Sequence, residues 1–201
     1  EKGKPKFPLP NVKDTLIGSI PVGGQQFFTF SQKVNLQQHG WYKNVWAKTN
    51  LSQDEAKENN QINDSIFVSP TYYPPYNEDL EDDYGFWLEN RDNSIWNYGI
   101  PSAETIDTAA SGTHVWGTNT SGLYRIEDSS YLESPCFNFS NMRNPVFEFK
   151  LWSEIEEGKD GLALYYSTDN GVSWNLVPTN GDYDWNWYTS DTIVAFNNGP
   201  G

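Results

Sequence analysis

Residues 77–83, Asn-Glu-Asp-Leu-Glu-Asp-Asp, put five carboxylates into seven positions. Crowded carboxylates repel one another, and a dication relieves that repulsion. On an extended strand Asp79 and Glu81 lie two apart and point the same way. Asp160, at an Asp160-Gly161 turn, is a further oxygen donor of the same kind. Ca²⁺ takes about six to eight oxygen ligands. Asp79, Glu81 and Asp160 are therefore the metal-ligating candidates, with Ca²⁺ as the cofactor. The plainer alternative is a solvated acidic loop. Paired carboxylates across a cleft can also hydrolyse glycosides, but among 27 Asp and Glu no motif singles out a pair.

Ser167-x-Asp169-x-Gly171-x-x-Trp174 has the spacing of an Asp-box. The aspartate can accept backbone amides inside the turn, the glycine can take a positive φ, and the tryptophan can pack back beneath the hairpin. Sialidases carry several such boxes, yet the box itself is a structural clip. A sialidase also needs arginines converging on a carboxylate, and Arg91, Arg125 and Arg143 have no spacing that argues for convergence. Near the C-terminus Tyr183, Trp185 and Trp187 alternate onto one face, with Tyr188 beside them and Asp182, Asp184 and Asn186 between and around them. Exposed, these rings would stack on sugar faces while the polar residues bond hydroxyls. Buried, they would be core. Tyr183, Trp185 and Trp187 are the ligand-binding candidates.

Motifs for other chemistry are missing. His39 and His114 are the only histidines, and no His-Glu-x-x-His, Gly-x-Ser-x-Gly or phosphate-cradling glycine loop occurs. His114, beside Val115-Trp116, reads as a structural or edge residue. The single cysteine, Cys136, cannot build a disulfide framework or a thiolate zinc site. It reads as a buried small apolar side chain at a strand start. No catalytic residue is assigned.

The elements that must position these groups read as strands. Nine Trp, twelve Tyr and eleven Phe supply apolar area for a core despite low mean hydropathy. Helical periodicity is nearly absent, and Gln53–Glu58 is too polar to be more than a loop or a single turn. Short β-branched and aromatic runs between Gly, Asn, Asp and Pro clusters mark an all-β chain. Strands are expected at Thr15–Ile20, Gln26–Val34, Trp41–Thr49 and Ile62–Val68. Nine more are expected at Gly85–Glu89, Ile95–Tyr98, His114–Gly117, Tyr131–Glu133, Cys136–Phe139, Val146–Leu151, Leu162–Ser167, Trp174–Val177 and Asp191–Phe196. Charge divides the chain as well. Residues 1–60 carry eight Lys/Arg against five Asp/Glu, +3, and residues 61–201 carry five against 22, −17. Pro70, Pro74 and Pro75 punctuate the junction, so 70–76 is expected to be a stiff linker. The acidic second unit disfavours nucleic acid and anionic lipid. No apolar run approaches the length of a membrane span.

The order and spacing of several blocks carry a resemblance over nearly the whole chain. Segment 40–68, with Gly40-Trp41-Tyr42-Lys43-Asn44-Val45-Trp46 and Ile62-Asn63-Asp64-Ser65, resembles the closing strands of Ig-like, CARDB-type adhesion modules of Bacteroidetes surface proteins. Segment 79–188 is similar to MAM-like jelly rolls related to cleaved-adhesin domains. The matching blocks include Gly85-Phe86-Trp87, Ser94-Ile95-Trp96-Asn97, Ala110-Ser111-Gly112-Thr113-His114-Val115-Trp116, Ser134-Pro135 and the Asp-box.

The resemblance implies an antiparallel chain of two units. Residues 1–69 would be the C-terminal part of an Ig-like β-sandwich, and 77–201 a jelly-roll-like β-sandwich without its closing strands, which lie elsewhere in the intact protein or come from a partner. In such jelly rolls a carboxylate pair placed like Asp79 and Glu81 holds Ca²⁺ with an aspartate from the closing strand. The implied function is a non-catalytic segment of a secreted or cell-surface adhesion or scaffold protein, exported as type IX secretion cargo. Its partners would be a glycan or a cell-surface protein, together with the outer-membrane secretion machinery. Its location would be extracellular or on the outer cell surface, with no nucleic acid bound and no membrane insertion. The alternative is an accessory or carbohydrate-binding domain of a secreted multidomain hydrolase. Four Asp-Ser/Thr-aliphatic tripeptides, at Asp14, Asp64, Asp107 and Asp191, match a short O-glycosylation motif of Bacteroidetes exported proteins.

Overall fold

The computed structural model describes residues 11–89, 94–178, 188, 190 and 192–196, with the side chains of Lys43 and Asn44 left aside. The chain is all-β: ten strands and two single 3₁₀ turns appear among the described residues. The first ladder is the longest. β1 (Gly40–Lys48) pairs antiparallel with β2 (Gln61–Val68), Trp41 opposite Phe67 and Ala47 opposite Ile62. The Trp41 and Phe67 rings lie 5.2 Å apart, a cross-strand aromatic pair of the kind that fixes register. The register shifts between Tyr42 and Val45. Such a bulge lets Tyr42 stay buried while Trp46 is half exposed. Gln38 N–H donates to the Tyr42 hydroxyl at 2.8 Å, satisfying its polar end. Thr49 N–H to Asn60 C=O, 2.8 Å, closes the loop. Within that loop Lys57–Asn59 forms the single turn expected of its polar sequence.

The other ladders are short. β3 (Thr71–Tyr72) pairs with β8 (Cys136–Phe137), β4 (Leu88–Glu89) with β7 (Leu132–Glu133), β5 (Trp96–Gly99) with β6 (Val115–Thr118), and β9 (Tyr165–Tyr166) with β10 (Asn175–Leu176). Seven of the nine strands expected after residue 77 are present, five shortened and two, Trp96–Gly99 and Val115–Thr118, at full length one residue further on. Val146–Leu151 joins no ladder among the described residues. Val194–Phe196 forms a 3₁₀ turn instead of a strand. It docks on the turn at 158–161, where Ala195 N–H donates to Lys159 C=O at 2.9 Å. Gly161 leaves the room there for Ile193 and Phe196, and Ile193 is buried. Thr15–Ile20 and Gln26–Val34 also form no strands; the Asp14 carboxylate ties this region together by accepting Ser31 N–H at 2.9 Å.

Three expectations need correcting. The pairing is not uniformly antiparallel, since β3 and β8 run parallel. The stretch read as a linker therefore holds a strand: Pro70 C=O accepts Cys136 N–H at 3.1 Å and Tyr72 C=O accepts Asn138 N–H at 2.8 Å. Main-chain pairing anchors this proline-flanked segment, which composition alone marks as a spacer. Cys136 is exposed rather than buried, although Pro135 beside it is fully buried.

Candidate functional site

The acidic stretch 77–83 is a set of turn clips rather than one regular strand. Leu80, Gly85 and Phe86 have positive φ, so the chain doubles back repeatedly. Glu78 Oε1 accepts Leu80 N–H at 2.9 Å, Asp79 Oδ1 accepts Glu81 N–H at 3.1 Å, and Asp83 Oδ1 accepts Gly85 N–H at 2.9 Å. Each carboxylate bonds an amide two residues on, the local competition with secondary structure that favours Asp in turns. The loop lies over the β5–β6 hairpin. The Tyr98 hydroxyl donates to Leu80 C=O, and Trp116 Nε1–H donates to Tyr84 C=O at 3.2 Å.

Glu81 is the centre of this arrangement. Its Oε1 accepts the backbone N–H of Thr113 and of His114, each at 2.8 Å. Its Oε2 accepts Thr113 Oγ1–H at 2.8 Å and faces His114 Nδ1 at 3.4 Å. The His114 ring stacks on Tyr98, centroids 5.3 Å apart and planes at 16°. Gly112, with φ of +63°, permits the approach, since a Cβ there would lie on the Glu81 carboxylate. The two backbone N–H donors, followed by the Thr113 hydroxyl, lower the Glu81 pKa from 4.5 to about 2. Burial, followed by the negative charge of Glu81, pushes the Tyr98 hydroxyl up.

Because the folded pKa of Glu81 is depressed, its stabilisation is complete above pH 4.5 and is lost as pH falls toward about 2. Acid titration of unfolding should show this loss, and Glu81→Gln should lower stability at neutral pH and flatten the slope in that window. Equal slopes in the two proteins would contradict the assignment.

The three metal candidates are not brought together. Glu81 serves Thr113 and His114, and Asp79 caps its own turn. Asp160 Oδ2 accepts the Tyr124 hydroxyl at 2.7 Å, which raises the tyrosine pKa. Among the described residues no group of three or more His, Cys, Asp or Glu side chains is arranged to hold a metal ion. The ligand platform of Tyr183, Trp185 and Trp187 lies outside the described residues.

The Ser167, Asp169, Gly171 and Trp174 spacing forms a closed hairpin between β9 and β10. Asp169 Oδ1 accepts Ser173 N–H at 2.9 Å and Ser167 Oγ–H at 2.8 Å, and its Oδ2 accepts Ser173 Oγ–H at 2.6 Å. Ser167 Oγ in turn accepts Gly171 N–H at 2.8 Å. Asn170 and Gly171 both have positive φ, and a Cβ added at Gly171 would come to 3.6 Å from the Trp174 ring. The Ser173 hydroxyl and amide lower the Asp169 pKa to about 2.

Sequence reasoning missed Gly112, Thr113 and His114 as the receptor of Glu81, and Tyr98 as its neighbour. The available signal was a glycine flanked by hydroxyl residues, Ser111-Gly112-Thr113, between two strands. Ser173 was also missed, although it stands inside the box.

No family model matches this chain, and no solved structure matches it. A 109-residue stretch, 54% of the chain, is 28% identical to Bacillopeptidase F of Bacillus subtilis (strain 168). The match spans 8% of that protein's length.

Proposed function

We propose that this chain is a non-catalytic β-module of a larger exported protein, serving as an accessory domain. The observation that carries this reading is the match to a small share of a peptidase's length. It favours the accessory role beside a hydrolase over adhesion alone. The site geometry supports the same reading. The best-organised carboxylates, Glu81 and Asp169, have pKa values lowered to about 2 by donors of their own fold, so neither is a general acid near neutrality. The adhesion or scaffold role, with a glycan or cell-surface protein as partner and export by a type IX route, rests on the Bacteroidetes resemblance. Calcium stiffening belongs to that second reading.

One experiment tests the non-catalytic claim that both readings share. The purified chain is incubated with labelled casein and with a fluorophosphonate probe for nucleophilic serines. The accessory reading expects no turnover and no labelling. Turnover abolished by a single Ser, Asp or His substitution would overturn it. Melting with and without EDTA, on the same sample, decides the calcium question: an unchanged transition removes the site, and a lowered one supports it.

A further inference from the structure

Asn-Gly occurs three times in the sequence, at 170–171, 180–181 and 198–199. The first lies in the turn between β9 and β10, and the other two lie outside the described residues. An asparagine followed by glycine can react with its own backbone, because no Cβ on the glycine shields the amide nitrogen from the asparagine side chain. Asn170 is exposed, and both residues of the pair have positive φ.

The reaction is a cyclisation followed by hydrolysis. The Gly171 amide nitrogen gives up its proton to hydroxide and attacks the side-chain carbonyl carbon of Asn170. A bond forms between that nitrogen and Cγ, the Cγ–Nδ2 bond breaks, and ammonia leaves with a proton taken from water. Water then opens the resulting cyclic imide at one of its two carbonyls. Opening at Cγ leaves aspartate at position 170. Opening at the main-chain carbonyl leaves isoaspartate, whose backbone runs through the former side chain and is longer by one carbon.

The folded hairpin blocks the first step. Gly171 N–H donates to Ser167 Oγ at 2.8 Å, so the attacking nitrogen faces the serine and keeps its proton. The Ser167 hydroxyl is held in turn by donating to Asp169 Oδ1 at 2.8 Å, and Ser173 N–H and Oγ–H fix the same carboxylate. The strands behind the turn are short, Tyr165–Tyr166 and Asn175–Leu176, so the hairpin can open locally while the rest of the chain stays folded. We propose that Asn170-Gly171 is a self-modification site held shut by this clip. Each opening of the hairpin exposes the bond to cyclisation, and the isoaspartate product makes the opening permanent. Its longer backbone breaks the spacing from Ser167 to Ser173, and its new carboxylate repels Asp169 beside it.

The test uses the whole chain at physiological temperature and mildly alkaline pH, with fragment-ion mass spectrometry following each Asn-Gly bond over time. In urea the three bonds should react at comparable rates, which sets the unprotected rate. In the folded wild type Asn170 should react about tenfold or more slowly than in urea, since only the open population reacts. Ser167→Ala releases the Gly171 amide and should return most of that rate. Adding Gly171→Ala to Ser167→Ala should suppress the reaction at position 170 although the turn is no tighter, which separates cyclisation from general loosening. Isoaspartate-bearing chains, purified by chromatography, should show fast amide exchange at Ser173 with β1 and β2 unchanged. A folded rate at Asn170 equal to that in urea, no acceleration by Ser167→Ala, a rate undiminished by Gly171→Ala, or wild-type protection at Ser173 in the isoaspartate chains would each overturn the proposal.

Discussion

Gly112→Ala is expected to cost about 1–3 kcal/mol of stability, measured by urea unfolding with tryptophan fluorescence. Two effects combine at this position. The backbone sits at φ +63°, where an L side chain is strained, and the added methyl would occupy the place of the Glu81 carboxylate. The glutamate can swing away, but it then loses both amide donors and the Thr113 hydroxyl. Gly158 supplies the control. It has φ +71° and open space around it, so Gly158→Ala carries the backbone strain alone. Gly112→Ala should therefore destabilise more than Gly158→Ala, and Glu81→Gln should narrow the gap between them. Equal costs for the two alanines in the wild-type background would mean that Glu81 is not seated on 112–114.

Asp169→Ala should open the hairpin from 165 to 176 without unfolding the rest of the chain. One carboxylate organises this turn, through Ser167 Oγ, Ser173 N and Ser173 Oγ. The ladder is short: two strand residues on each side, Tyr165–Tyr166 and Asn175–Leu176, extended by Val177 N–H donating to Leu164 C=O at 2.9 Å. A ladder that short has little stability of its own. Amide exchange at Gly171 and Ser173 should accelerate about tenfold or more, while exchange along β1 and β2 stays unchanged. Trp174 emission should shift to the red as the ring leaves Gly171. Protection at Gly171 and Ser173 equal to the wild type would rule out the carboxylate as the organiser.

The two clips differ in how far they can be read from sequence. The hairpin clip is local: Ser167 and Trp174 are seven positions apart, and every bond within it joins residues at most four apart. Its chemistry is visible in the spacing. The Glu81 clip joins residues 32 and 33 positions apart. Nothing at Glu81 itself names its partners, so the acidic run reads equally as a cation site. Strand positions follow the same logic. Trp96–Gly99 and Val115–Thr118 combine aromatic or β-branched residues with bounding turn residues, and both lie where their patterns place them. Val146–Trp152 has the clearest alternation of all yet forms no ladder among the described residues: alternation marks a strand's faces but does not name its partner. The Thr71–Tyr72 strand hides beneath prolines for the converse reason: its partner, Cys136–Phe137, lies far along the chain.

Both clips set carboxylates to work on backbone amides. That use of acidic residues fits a module whose carboxylates brace its own turns. Accessory and adhesion roles both demand such a scaffold, and the match to part of a peptidase inclines the balance to the former.

Carbon-13 titration of the Glu81 and Asp169 side-chain carboxyls bears most directly on this account. Amide-bound carboxylates should titrate near 2, with neither resonance moving when calcium is added. Midpoints at 4.5 for Glu81 and 3.8 for Asp169, or a calcium-dependent shift at Glu81, would contradict it.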